Sequence, residues 1–133
     1  MQHIQDQAPV RCDPVQAPIH GSLGWDSIHY AVDGCFYFYR FEACRHSDPA
    51  IDLGGFAADL LRFTLTTHDS AAYRICRDDL LTSYNAGTAH QVQPDDLLPY
   101  IALAIGERVR EGATTSADAQ QLLATLDALG GMY

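Results

Sequence analysis

Apolar and polar positions mark one stretch of the chain above all others. From Trp25 to Ala43 the sequence is rich in aromatic and β-branched residues, and Asp33-Gly34 divides it. Asp-Gly between two such runs predicts a β-hairpin closed by a two-residue turn, because that turn needs φ > 0 at its central positions. In that register Val32 faces Cys35, Tyr30 faces Tyr37, Ile28 faces Tyr39 and Asp26 faces Phe41. Aromatics fall on both sides of the ribbon, so one face is expected on a core and the other partly covered.

Farther on the pattern changes period. Residues 45–55, with Asp48-Pro49 and Gly54-Gly55, read as a loop. Phe56 to Thr67 fits both periods. Leu61, Phe63 and Leu65 alternate as in a strand, while Phe56, Leu60 and Phe63 share a helix face; the Ala57-Ala58-Asp59-Leu60-Leu61 run favours helix. His68-Asp69-Ser70 reads as a turn. Tyr73 and Ile75 against Arg74 and Cys76 predict a third strand over 72–77. Asp78 is then expected to cap a short helix, Asp79 to Tyr84, and 88–93 to form an edge strand or loop.

The last third is periodic at 3.6 residues. Pro94-Asp95-Asp96 suits a helix start, and Pro99 implies either a separate first turn or a helix beginning there. Leu97, Ile101, Ile105 and Val109 make its apolar stripe, with Ala104 beside it. Ala119, Leu122, Leu123, Leu126 and Leu129 make the stripe of a second helix, about Ala117 to Leu129, stopped by Gly130-Gly131. The short link joins them as a helical hairpin. The expected class is α+β: a small antiparallel sheet built on the hairpin, about 25–43, packed against helices and followed by a C-terminal helical hairpin. Residues 1–24, with Pro9, Pro14, Pro18, Gly21 and Gly24, read as an extended arm anchored by Val10, Val15, Ile19 and Leu23. Residues 25–133 read as a single domain.

Composition narrows the function. The 133 residues carry 17 acids against 8 basic residues, a net charge of −9. All the basic residues are arginines, and all but three acids are aspartates, a pattern that codon bias in a GC-rich genome produces. Such a surface repels phosphate backbones and attracts a basic partner, so direct nucleic-acid binding is not expected. Neither a signal-peptide pattern nor an apolar run of membrane-spanning length is found, so a cytoplasmic protein without a membrane partner is expected. Cys12, Cys35, Cys44 and Cys76 form no C-x-x-C pair and are expected to be reduced and mostly buried.

Candidate chemistry is sparse. Cys44-Arg45-His46 has one short metal-type spacing where structural zinc sites show paired ones, and no third group orients the Cys44 and His46 pair for nucleophilic catalysis. No catalytic residue, metal or cofactor is assigned. The candidate binding residues are aromatic and charged. Tyr30, Tyr37 and Tyr39, with Phe41 at the end, suit a contact surface because the amphipathic ring is at home at an interface. Arg40 and Arg74, if they converge with an aromatic, could hold a nucleotide or carboxylate. Asp78, Asp79, Asp95 and Asp96 are paired carboxylates at expected helix starts, available to a basic partner. The expected function is that of a small acidic, non-catalytic inhibitor that blocks a basic protein partner, in the general cast of phage anti-defence or toxin-immunity proteins. The alternative is an oligomeric protein that sequesters an anionic small molecule such as a nucleotide. Aromatics on both ribbon faces also imply a homo-oligomer.

Overall fold

A computed structural model describes residues 16–89 and 91–130. Expectations for residues 1–15, Val10, Cys12 and Val15 among them, and for Gly131 lie outside the described residues. The fold is α+β. Among the described residues four three-residue strands come first: β1 (Ala17–Ile19), β2 (Ile28–Tyr30), β3 (Phe36–Phe38) and β4 (Arg45–Ser47). The helices α1 (Ala50–Arg62), α2 (Thr64–Thr67), α3 (Ser70–Ala86), α4 (Pro94–Arg110) and α5 (Ser116–Gly130) follow. The strands form two separate antiparallel ribbons, β1 with β4 and β2 with β3. β1 meets β4 with Ala17 opposite Ser47 and Ile19 opposite Arg45, so the hairpin springs from a closed neck.

The core is helical. α1 lies against α4 and α3, and α4 carries α5 as the expected helical hairpin. Leu61, Leu97, Ile101, Ile105 and Leu122 are fully buried there. The apolar stripes read for α4 and α5 are the buried faces, except that Leu123 is exposed and Val109 half-buried. α4 runs unbroken from Pro94 through Pro99, rather than dividing at Pro99. Pro99 stands near the helix start, where only the early Asp95 carbonyl loses its usual donor.

Three other stretches depart from the expected elements. Residues 45–55 are not a loop. Asp48 Oδ1 accepts the Ala50 N–H at 3.0 Å, and Pro49 follows it, so Asp-Pro starts α1 rather than a turn. Gly54 and Gly55 lie inside α1 because both sides of the helix are crowded. A Cβ on Gly54 would come within 2.6 Å of Tyr100 Cβ on α4, and one on Gly55 within 2.9 Å of the Leu23 carbonyl oxygen. Residues 56–67 are helical, as the composition favoured.

The expected strand 72–77 is helix α3, capped by the Asp69 side chain, which accepts the Ala72 N–H at 2.9 Å. Its buried residues are Tyr73, Arg77 and Leu81, spaced by four, while Ile75 is 63% exposed; the Tyr73 and Ile75 alternation was coincidental. Asp78 and Asp79 therefore sit in mid-helix and cap nothing. The described cysteines are also not buried: Cys35, Cys44 and Cys76 are free and exposed.

The hairpin forms, but in another register. Gly34 N–H bonds to Ala31 O at 3.0 Å and Ala31 N–H to Cys35 O at 2.9 Å, so the loop is Val32-Asp33-Gly34. Gly34 has φ of +85°, the left-handed residue of a three-residue loop. Tyr30 consequently faces Phe36, His29 faces Tyr37 and Ile28 faces Phe38. Tyr30 and Tyr37 are not partners, and the one-residue shift puts them on opposite faces.

Two stability predictions follow from packing and burial. Gly54→Ala gains helix propensity but overpacks against α4, so a net loss of about 1–2 kcal/mol is expected. A Cβ on Gly106 meets nothing within 4 Å, so Gly106→Ala should instead add about 0.5–1 kcal/mol. Urea midpoints of opposite sign for the two variants check both. The Tyr73 phenol is pushed up to about 12, chiefly by burial, with Asp78 adding to the rise and Arg77 opposing it. Folding thus favours the protonated ring, and this stabilisation is complete below about pH 10. It falls away as pH rises from about 10 through about 12, a loss of about 2–3 kcal/mol. The Tyr73 hydroxyl has no hydrogen-bond partner among the described residues. Tyr73→Phe should therefore keep neutral-pH stability and flatten the alkaline decline in urea titrations.

Candidate functional site

The hairpin is held upright by a strap, residues 20–25, laid along α1. Asp52 and Asp59 are two turns apart on α1 and share one face. Asp52 Oδ2 accepts the His20 N–H at 2.7 Å and Oδ1 the Gly21 N–H at 2.9 Å. Asp59 Oδ2 accepts the Trp25 N–H at 2.9 Å. Gly55 between them leaves room for Leu23, and a Cβ on Gly24 would collide with the Asp59 carboxylate. Asp59 is 4% exposed, and Arg108 Nε of α4 donates to its Oδ1 at 3.3 Å. Charge-assisted bonds to backbone N–H groups are about twice as strong as neutral ones. The strap also packs through rings: Trp25 lies 5.1 Å from Phe56 and edge-on to Phe63 at 6.0 Å.

His20 ties the strap to the hairpin's descending strand. Its Nδ1 accepts the Ser22 N–H at 3.2 Å, so Nε2 carries the proton and donates to Tyr39 O at 2.6 Å. The buried imidazole also packs on Phe41, ring centres 4.8 Å apart. Arg40 follows with φ of 64° and pairs with Asp26 at 3.3 Å across the hairpin's foot, both side chains exposed.

Above this anchorage both faces of the hairpin are open. One face carries Ile28, Tyr30, Phe36 and Phe38, with Tyr30 and Phe36 rings 4.8 Å apart. The other carries His29, Tyr37 and, by alternation, Tyr39. Tyr37 donates its hydroxyl to Asp33 Oδ2 at 2.6 Å, and the Cys35 N–H reaches Asp33 Oδ1 at 2.9 Å. The Tyr37 bond, then the Cys35 amide, hold the Asp33 carboxyl below its usual range, and the same bond raises the Tyr37 phenol. Tyr37 and Tyr39 are 50% and 44% exposed. The tyrosine set is thus divided, Tyr30 on the apolar face and Tyr37 and Tyr39 on the polar one.

The charged candidates do not gather. Arg40 is at the hairpin foot, paired with Asp26, and Arg74 is half-buried on α3. Asp78 is bound to the buried Arg77 guanidinium at 2.7 Å. Asp96 Oδ2 caps α4 by accepting the Gln93 N–H at 2.8 Å, and Asp79 and Asp95 are exposed. Beside the strap, a groove of about 580 Å³ is lined by Trp25, Arg62, Phe63 and Asp118 among others. Among the described residues lining it, Arg62 is the one guanidinium and is committed, donating to Ala113 O at 3.2 Å and lying 3.9 Å from Asp59. The Asp118 carboxylate also lines the groove, which does not favour an anion. No three His, Cys, Asp or Glu side chains gather at metal-holding distance among the described residues.

Sequence reasoning missed Asp52, Asp59, His20 and Trp25 as the anchors. The signal was the seven-residue spacing of the two aspartates, which matters only once Asp48-Pro49 is recognised as a helix start. Trp25 is the chain's single tryptophan and reports on the strap. Asp59→Ala strips Arg108 and the Trp25 N–H of their buried carboxylate, for an expected loss of about 3 kcal/mol. The Trp25 emission should move to the red and become more open to iodide quenching; unchanged fluorescence would show the strap held by Asp52 and the rings alone. Comparison with known protein families, curated proteins and solved structures finds no match to this chain.

Proposed function

We propose that this chain is a small acidic, non-catalytic binding protein that blocks a basic protein partner, with the tyrosine face of its hairpin as the contact surface. The supporting observation is Tyr37 and Tyr39, each about half exposed, on a hairpin whose foot is fixed by His20 and the strap. Tyrosine rings supply broad contact area with little rotamer entropy to lose, and a pre-anchored hairpin lowers the ordering cost of binding. Charge suits the same reading. Residues 48–130 carry twelve acids against five arginines, whereas residues 16–47 carry three against two. The helical body would steer a basic partner at long range, and the near-neutral hairpin would make the short-range contact. That is the general cast of a phage anti-defence or toxin-immunity inhibitor. The anionic-ligand alternative draws less support, because Arg40, Arg62 and Arg74 face different surroundings and two are already paired.

The test is affinity capture from the native host with the whole chain as bait, followed by titration of the purified partner. A basic protein should be retained, with association slowing as salt rises. Tyr37→Ser with Tyr39→Ser should weaken binding at least tenfold, about 1.4 kcal/mol. Asp79→Asn with Asp95→Asn, both exposed, should mainly reduce the on-rate at low salt. Retention of no basic protein, or equal binding by the tyrosine variant, would overturn the assignment.

A further inference from the structure

The opposite face of the hairpin has no role in that reading. It presents Tyr30, Phe36 and Phe38, exposed by 63%, 64% and 53%, beside the half-buried Ile28, with Val32 standing free at the tip. We propose that a second copy of this chain covers this face, the two hairpins packing apolar face to apolar face about a two-fold axis.

Three observations select that occupant. The first is area. At about 200 Å² per ring, the three aromatics with Val32 and Ile28 leave about 500 Å² of apolar surface on each copy. Fully covered, two copies bury about 1,000 Å² in total, the floor for a specific interface and the range of weak, reversible pairing. The second is charge. The protein carries −9 overall, yet none of these five side chains is ionisable at neutral pH, and residues 16–47 hold three acids against two arginines. Two acidic bodies repel one another, but the surfaces that meet in this arrangement do not, and the projecting hairpins hold the bodies apart. The same lack of cations leaves nothing on this face to meet an anionic lipid headgroup. The third is the chemistry of the two faces. The Tyr37 hydroxyl and the Asp33 carboxylate sit on the other side and keep that face suited to water or a polar partner. Phe36, Phe38 and Ile28 have no polar atom in their side chains to satisfy. A face so largely apolar is complementary to itself, and isologous pairing about a two-fold axis closes after two copies with no unmatched interface left over.

Sedimentation equilibrium on the purified full chain from 1 to 100 μM, roughly spanning weak to moderate affinities, tests the pairing. The expected species is a dimer of the 14.6 kDa chain. Phe36→Ser with Phe38→Ser should raise the dimer dissociation constant at least tenfold, and Val32→Asp at the tip should do so independently. His29→Ser, on the other face, should leave it unchanged. None of these residues belongs to the helical core, so far-ultraviolet circular dichroism of each variant should show the helices unchanged. A monomer throughout the range, or a dimer indifferent to both apolar-face variants, overturns the proposal. A monomer that instead floats with phosphatidylcholine vesicles through Phe36 and Phe38 assigns the face to lipid and overturns it equally. Partner capture by the tyrosine face can fail while this dimer stands, because the two experiments read different sides of the hairpin.

Discussion

The carboxylate of Asp59 is the junction on which the architecture turns. It lies almost out of solvent and joins three parts of the chain: its own helix through Arg62, the α4 helix through Arg108, and the strap through the Trp25 backbone. A desolvated carboxylate is costly unless its lone pairs are occupied, and here a guanidinium and a backbone N–H occupy them. Geometry is thereby imposed on everything nearby. Gly24 and Gly55 must lack side chains, and Trp25 must reach across to Phe56 and Phe63. Asp52 repeats the device two turns earlier.

This anchorage explains how a two-stranded ribbon persists without a core of its own. Isolated hairpins are marginal in water. Here the ends are fixed before the strands begin, by the strap on one side and by β1 pairing with β4 on the other. His20 adds a bond to the Tyr39 carbonyl from below, and Asp33 closes the tip by accepting from Tyr37 and Cys35. The aromatic rings are left to face outward on both sides. Burial in the helical body supplies stability, and the ribbon contributes shape.

What the sequence made legible depended on how many independent signals agreed. For α4, stripe and acidic first turn pointed to the same answer, for α5 the stripe and its terminal glycine, and both helices are where they were expected. The α3 segment had competing signals. Tyr73 and Ile75 satisfy a two-residue period, Tyr73, Arg77 and Leu81 a helical one, and only packing against α1 decides between them. Gly54-Gly55 misled for another reason: close approach to Tyr100 and Leu23 is a tertiary demand, invisible locally. At Asp33-Gly34 the conformational signal was correct, since Gly34 does take positive φ, but a two-residue and a three-residue loop both satisfy it. That single residue of ambiguity was enough to exchange the faces of Tyr30 and Tyr37.

The β1–β4 neck also bears on how far the hairpin and the helical body depend on each other. Its two strands enter and leave side by side, with Ala17 opposite Ser47, so the excursion between them returns to its point of departure. Substitutions beyond the strap, from Ile28 to Tyr39, reach no residue of the helical core. Folding of the helical body is therefore largely uncoupled from the hairpin's side chains, and a change in one need not disturb the other.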